Sequence, residues 1–428
     1  MIVEQMLRIN GIIKGLISFL IIVAPLSLGF GQILSLPEQE HDKVRGFSIG
    51  TFKLVPMLGV QGGWDSNIFR LAKSESPKSA GLILPEGGLK LYNPNASKVL
   101  FSLSGVVNYR HYFSNDSAVK SQNQLGAVAA MKFKLFPRGH FGLDVEDTYK
   151  RTVEPRNYSN TNNLNRHENS AMLKVSIRPG GGSLIFDLFY GNILERYDNY
   201  SNGNMLSHKT GAVIRWDFLP KTSLLIEANV RFNKYSNNNP LKGNVESHPL
   251  ITRIGMVGYI TPKLILDMRI GFAKGFYKTG SDYGTVIGRA VLGYAFTPTT
   301  ILEVGYRRLF EDSYYSNYYG MHHAYLSFKQ QIWNKLNINI GVAYNYLMYA
   351  SYSPTAASGY KVSSTNRRDN LLEADLGINF SILRYLAVRV SYKFYKDFTD
   401  FSLTAPNNSV DDSSYMRHNV MGGIRLYY

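Results

Sequence analysis

The chain has 428 residues, 44% of them hydrophobic and only 18% charged, with 30 tyrosines and a formal net charge of +16. The lack of cysteine excludes a disulfide framework, a thiolate metal site, a cysteine nucleophile and a lipidated N-terminal cysteine. Mean hydropathy is −0.16, too low for a bundle of membrane helices, and past the N-terminus no apolar run reaches the roughly 18 residues that a spanning helix needs.

At the N-terminus Arg8 and Lys14 precede an apolar core over about 16–24, and small residues follow at Gly29 and Gly31. This is the order of a secretory signal, so residues 1–31 are expected to be removed and Gln32 to start the mature chain. Residues 32–50 contain Pro37 and a charged patch over 38–45. They read as a short periplasmic lead-in, far too small for a plug domain. Residues 51–428 read as one barrel domain.

From about residue 52 the chain alternates apolar and polar residues with period two, the signature of strands. The first two segments, 52–64 and 79–92, are blurred by Pro56 and Pro85. Later ones are sharper. Leu224, Ile226, Ala228, Val230 and Phe232 alternate with Glu227, Asn229 and Arg231, and Leu386, Val388, Val390, Tyr392 and Phe394 alternate with Arg389, Ser391 and Lys393. The full set of predicted strands is 52–64, 79–92, 98–113, 122–136, 140–152, 169–178, 183–196, 207–218, 223–235, 250–260, 264–277, 284–296, 300–311, 319–332, 336–349, 369–382, 386–398 and 416–428. Their lengths suit a tilted membrane crossing, and the even count of eighteen suits a barrel with both ends on one rim.

Short turns recur between alternate strands, several with proline: Asn93-Pro94-Asn95, Phe136-Pro137-Arg138-Gly139, Leu219-Pro220-Lys221-Thr222, Thr261-Pro262-Lys263 and Thr297-Pro298-Thr299-Thr300. Short turns are periplasmic in outer-membrane barrels, and the longer polar loops on the other rim face outward. Loops 153–168 and 350–368 are the candidates, by length, to fold inward. Trp216, Phe218, Phe296 and Trp333 near the short turns, and Tyr109, Tyr235, Tyr306 and Tyr346 nearer the loops, are expected as two interfacial girdles. The C-terminal Ile424, Leu426 and Tyr428 share a face and end on an aromatic residue. This is similar to the signal that such barrels present to their assembly machinery.

The stretch Gly62-Gly63-Trp64-Asp65-Ser66-Asn67-Ile68-Phe69-Arg70 resembles the opening of the β-barrel porin type 2 group of bacterial outer-membrane proteins, with the aromatic-Asp-x-Asn-aliphatic-aromatic form carried by Trp64, Asp65, Asn67, Ile68 and Phe69. The turn periodicity extends the resemblance over nearly the whole mature chain. It implies a barrel and, since some members of the group belong to exopolysaccharide synthesis and export systems, a glycan cargo.

If the apolar faces meet lipid, the opposite faces line a lumen. The basic set is Arg110, Lys132, Lys134, Lys174, Arg178, Arg215, Arg231, Arg253, Arg269, Arg289, Arg307, Lys329, Arg389, Lys393 and Arg425. The acidic set is Asp144, Glu146, Asp187, Asp217, Glu227, Asp267, Glu303, Glu373 and Asp375. A basic excess along a pore favours anions, while cross-strand pairing of the same residues stiffens the wall.

No catalytic residue, metal site or cofactor is expected. The chain has no H-E-x-x-H or G-x-S-x-G pattern, and Gly180-Gly181-Gly182 lacks the Lys-Ser/Thr of a phosphate loop. His322 and His323 are adjacent on a strand and face opposite ways, so they cannot readily share an ion.

The sequence therefore predicts an all-β, antiparallel up-and-down transmembrane barrel of about eighteen strands. It would lie in the outer membrane after secretion to the periplasm, with outer-membrane lipid and the barrel-assembly machinery as partners. Charge scattered along alternating strands argues against nucleic acid. The expected work is passage of hydrophilic solute through a polar, net basic lumen, as a conduit for exopolysaccharide served by a periplasmic export apparatus. A general diffusion porin, a closed barrel with surface-binding loops and an outer-membrane hydrolase are the alternatives.

Overall fold

The computed structural model describes residues 46–94, 97–152, 165–198, 203–236, 246–313, 316–351, 361–404 and 410–428. The signal segment and most of the lead-in lie outside these residues. So do the greater part of loop 153–168 and residues 352–360 of loop 350–368.

Eighteen strands form the wall. They are β1 (Phe52–Asp65), β2 (Ala80–Tyr92), β3 (Val99–Phe113), β4 (Gln124–Leu135), β5 (Phe141–Thr152), β6 (Arg166–Ile177), β7 (Leu184–Tyr197), β8 (Met205–Leu219) and β9 (Thr222–Tyr235). The second half is β10 (Glu246–Thr261), β11 (Leu264–Tyr277), β12 (Tyr283–Thr297), β13 (Thr300–Asp312), β14 (Tyr318–Ile332), β15 (Leu336–Tyr349), β16 (Arg368–Leu383), β17 (Leu386–Phe398) and β18 (Tyr415–Tyr427). Each pairs antiparallel with its neighbours in the chain. The cylinder closes where β1 meets β18, from Met57 opposite Tyr427 to Asp65 opposite Asn419. Closure joins the first strand to the last, so most backbone donors and acceptors of the wall are paired within it.

Alternation assigns the two faces. On β9, Ile226 and Phe232 are exposed while Leu225, Asn229 and Asn233 are buried. Leu58, Val60 and Trp64 on β1, and Ile254 on β10, extend the same exposed apolar exterior. Most outward positions of the wall thus offer apolar surface, at roughly 25 cal/mol per Å2 in water, with polar exceptions such as Asp147, which accepts from Asn169 Nδ2 at 2.8 Å. That is the surface of a wall that meets lipid. Among the described residues no helix is long and apolar enough to cross a membrane. Here the strands would do the crossing.

Two prolines sit inside strands at gaps in a ladder. Pro249 lies on β10, whose pairing with β9 skips from Leu250 opposite Val230 to Ser247 opposite Asn233. Pro85 lies on β2, whose pairing with β3 skips from Ile83 to Glu86. A missing N–H costs nothing where no ladder bond is made. This is why β10 begins at Glu246, four residues before the start predicted from sequence. Trp333 and Asn334 join β14 to β15 with φ of +50 and +56°, the two left-handed positions of a tight hairpin turn. Residues Phe47–Ile49 fold back as a short hairpin on β1, with Phe47 opposite Leu54.

Candidate functional site

The register of the wall places the predicted charged residues on the inward positions of their strands. The exception is Arg178, one residue beyond β6 on the turn rim, where its Nη1 donates to Gly139 O at 3.0 Å. Many of these charges are clustered into networks. Asp144 takes Lys174 at 3.1 Å and Lys134 at 3.8 Å. Asp187 accepts from Ser176 Oγ. Asp217 accepts from Ser223 Oγ and lies 3.2 Å from Arg215 Nε. Glu227 lies between Arg253 and Arg269, at 3.4 and 3.9 Å. Asp267, 1% exposed, lies between Arg269 and Arg289, at 2.9 and 3.2 Å. Glu303 accepts from the Tyr325 hydroxyl, Glu373 from Asn345 Nδ2, and Arg389 donates to Asn379 Oδ1 and the Tyr427 hydroxyl.

Three arginines stand side by side on adjacent strands, Arg269 opposite Arg289 and Arg289 opposite Arg307. Like charges in direct register repel. Asp267 relieves the first pair, and Arg307 lies over the Tyr325 ring at 5.4 Å, a cation–π contact. Arg231 faces Lys209 across β8 and β9. Arg110, Lys132, Glu146, Lys329, Lys393 and Asp375 complete the inward set, with Asp375 facing Lys393 across β16 and β17 and Lys132 facing Glu146 across β4 and β5.

Sequence reasoning missed inward charges at strand ends and in the blurred first strands, among them Asp65, Glu86 and Arg417. The predicted Arg425 meets Glu86 Oε1 through Nη2 at 2.6 Å, with both side chains 1% exposed. Arg417 Nη2 meets Asp65 Oδ2 at 2.6 Å. These two pairs span the closing region formed by β1, β2 and β18. Asp65 also accepts from the Asn67 amide and Asn419 Nδ2. Asn67 in turn exchanges hydrogen bonds with Leu71 and donates to Met416 O. The Asp-x-Asn stretch is thus the clasp of the barrel's last seam.

At the rim away from the short turns, described segments lean inward. The β12–β13 ladder ends at Gly288 opposite Arg308, although both strands continue. Beyond it, the end of β13 leans over the inner wall. Asp312 Oδ2 accepts from Asn233 Nδ2 (2.9 Å), the Tyr235 hydroxyl (2.9 Å) and Ser247 Oγ (2.6 Å). Tyr318, at the start of β14, stacks on Tyr283 with centroids 3.9 Å apart. Phe310 packs with Ala273, Tyr277 and Ile287, inward residues of β11 and β12. On the other side of the hairpin, Tyr319 and Met321 pack with Leu347, Leu371 and Tyr415. Tyr235 therefore belongs to the lumen, correcting its expected place in a girdle: it is odd-numbered on a strand whose even residues face out.

Two further segments turn inward near the closing seam. Residues 66–79 bring Ile68 and Phe69 against Leu82, Tyr112 and Met421, and the Arg70 guanidinium over the Tyr395 and Tyr415 rings. A helical turn, α1 (Ser117–Lys120), buries Val119 in the same cluster. Its cap, Asp116, accepts from the Ala118 and Val119 amides and lies 3.0 Å from Lys78 Nζ.

His322 and His323 face opposite ways, as alternation requires. His322 Nδ1 lies 2.6 Å from the Tyr306 hydroxyl on the exterior, and His323 Nδ1 lies 2.6 Å from Asn345 Oδ1 inside. Among the described residues no group of three His, Asp or Glu is placed to hold a metal ion.

Several solved structures have a similar chain path, among them one described as an outer-membrane protein, OpdK. OpdK from Pseudomonas aeruginosa, with vanillate, is 10% identical over 88% of this chain and 99% of its own, with a TM-score of 0.46. OccAB4 from Acinetobacter baumannii is 9% identical over 88% and 98%, with a TM-score of 0.44. The FrpB iron transporter from Neisseria meningitidis is 8% identical over 91% and 83%, with a TM-score of 0.49. No family model matches the chain, and no curated protein matches it.

Proposed function

We propose that this protein is an outer-membrane channel for hydrophilic solute, reached by secretion to the periplasm and held closed at its outer mouth by the β13–β14 hairpin. The observation that carries this reading is the division of the wall. The exterior is mostly apolar, while the interior carries rows of charges such as Arg269, Arg289 and Arg307 among apolar inward residues such as Leu225, Val257 and Val291. Pairing offsets the cost of desolvating these groups only in part, since taking an ion out of water costs several kcal/mol. An aqueous path keeps part of that hydration.

The finer reading is a conduit for an anionic or neutral polysaccharide, working with a periplasmic export apparatus. The Arg269–Arg289–Arg307 row supplies cationic donors for carboxylate or phosphate groups along a glycan. Inward tyrosines such as Tyr277, Tyr283, Tyr325 and Tyr395 supply flat faces with polar edges. Export also gives the mouth a purpose, since an outward-moving chain displaces a hairpin that bars entry from outside.

The inward-leaning segments favour one other reading, a closed barrel whose loops bind a partner. Deletion and rescue separate the two. Loss of surface polysaccharide on deletion, restored by the wild-type chain, supports export. Unchanged polysaccharide and unchanged solute uptake together contradict any channel role.

A further inference from the structure

We infer that the exterior of β11–β15 carries a seat for a phosphate-bearing lipid of the outer leaflet, with its acyl chain in an apolar trough and its phosphate at Arg308 and His322. This rests on the reading that the barrel spans the outer membrane.

The trough has a volume of about 530 Å3 and is lined by Leu266, Ala290, Leu292, Val304, Ala324 and Leu326. It exists because β12 and β14 place small residues outward, Gly288, Ala290 and Ala324, where the neighbouring strands carry Ile270, Met268, Tyr306 and Tyr344 in register. An apolar trough in a lipid-facing wall takes up a hydrocarbon chain.

The outer end of the trough is polar and cationic. Arg308 lies directly opposite His322, and His322 opposite Tyr346. The row continues to Asn370 and holds no carboxylate. Tyr306, which lines the trough, holds His322 through Nδ1 at 2.6 Å. Nε2 on the far edge of the ring is left for an outside group. Arg308 donates from Nη2 to Thr285 Oγ1 at 3.1 Å, across the gap where β12 and β13 part and toward the inward row that holds Ile287, and a guanidinium has further N–H groups for a phosphate on its outward side.

The level is marked by repetition. Tyr149 pairs with His167 at 2.7 Å, Tyr190 with His208 at 2.7 Å and Tyr392 with His418 at 2.9 Å. Each of these histidines lies within a few residues of the outer end of β6, β8 or β18, on outward positions. Amphipathic rings belong at the headgroup level. The trough is the place where such a pair stands above an open apolar groove. It also lies below the point where β12 and β13 part, so a lipid held there braces the hinge of the mouth hairpin.

The test uses the full barrel in phosphatidylcholine nanodiscs doped with bisphosphorylated lipid A or with the same lipid stripped of its phosphates. Lipid retained by the purified barrel is measured by native mass spectrometry. The expected result is selective retention of the bisphosphorylated form, weakened about fivefold for loss of the arginine charge in Arg308→Gln. Ala324→Leu, which fills the trough and leaves the charges intact, also reduces retention. Equal retention of both lipids by the wild-type barrel, or retention unchanged in both variants, overturns the seat. Failure of the barrel to enter the nanodisc contradicts the membrane reading itself, so the two failures are distinguishable.

Discussion

Asn233 donates to Asp312 at 2.9 Å, although β9 and β13 are separated in the wall by three strands. Strands stand about 4.8 Å apart, so four steps along the wall cover roughly 19 Å. The contact exists only because the end of β13 has left the wall and crossed the inner faces of β11 and β12. One carboxylate oxygen collects three donors there, and the hairpin is latched at a point.

Asp312→Ala removes that acceptor and leaves Asn233, Tyr235 and Ser247 without it. The expected cost is about 1–3 kcal/mol, that of buried neutral donors left unsatisfied, borne by hairpin docking and not by the barrel. Limited proteolysis should then cut between β13 and β14 while the barrel remains resistant to heat and detergent. Loss of barrel resistance together with the cut would mean that Asp312 supports the wall instead.

The clasp of the last seam is a second target. The Asp65 and Arg417 side chains are 1% and 7% exposed, and Arg417→Ala strands the carboxylate. A loss of about 3–5 kcal/mol is expected in urea unfolding from detergent or vesicles. A paired exchange, Asp65→Leu with Arg417→Met, should recover much of it, because a hydrophobic pair of similar volume escapes the desolvation cost. Equal losses in the single and paired variants would contradict this account of the seam.

Ion pairing ranks the pore arginines. Arg269 is shared by Asp267 and Glu227, whereas Arg307 lies over an aromatic ring. Arg307→Glu, in a background with the hairpin released, should move the reversal potential toward cations more than Arg269→Glu does. The check is bilayer recording under a salt gradient. An unchanged reversal potential in both would remove the row from selectivity.

Acid should loosen the α1 side of the mouth through Asp116. The Lys78 ammonium, with the Val119 and Ala118 amides, holds the Asp116 carboxyl below the usual carboxylate range. Its stabilisation is therefore fully present above the ordinary value, about 3.9, and is lost as pH falls through the lowered one. Hydrogen exchange at the Ala118 and Val119 amides should stay slow down to that range and accelerate below it. Asp116→Asn should flatten the dependence. A dependence unchanged in that variant would assign it to another group.

The wall was legible because alternation is local. Glu227 and Arg231 face in because Ile226 and Phe232 face out, and each needs only its neighbours to be read. Proline misled at Pro249, since nothing nearby shows that the β9 ladder skips that position. The mouth was not legible. Asp312 finds its partners 65 to 79 residues away, and Asp65 finds Arg417 at 352. The Asp-x-Asn stretch stood out in the sequence as a family resemblance, while its work as a clasp depends on which strand closes the barrel. The trough under His322 needed the register of five strands, because a small residue is a groove only beside larger ones.

Single-channel recording in planar bilayers, comparing the wild-type barrel with Asp312→Ala, tests the central claim most directly. The account predicts a wild-type barrel that inserts with little or no steady conductance, and a variant that conducts through a stable open level. A wild-type barrel that is fully open, or a folded and inserted variant that stays silent, would contradict a channel closed by the β13–β14 hairpin.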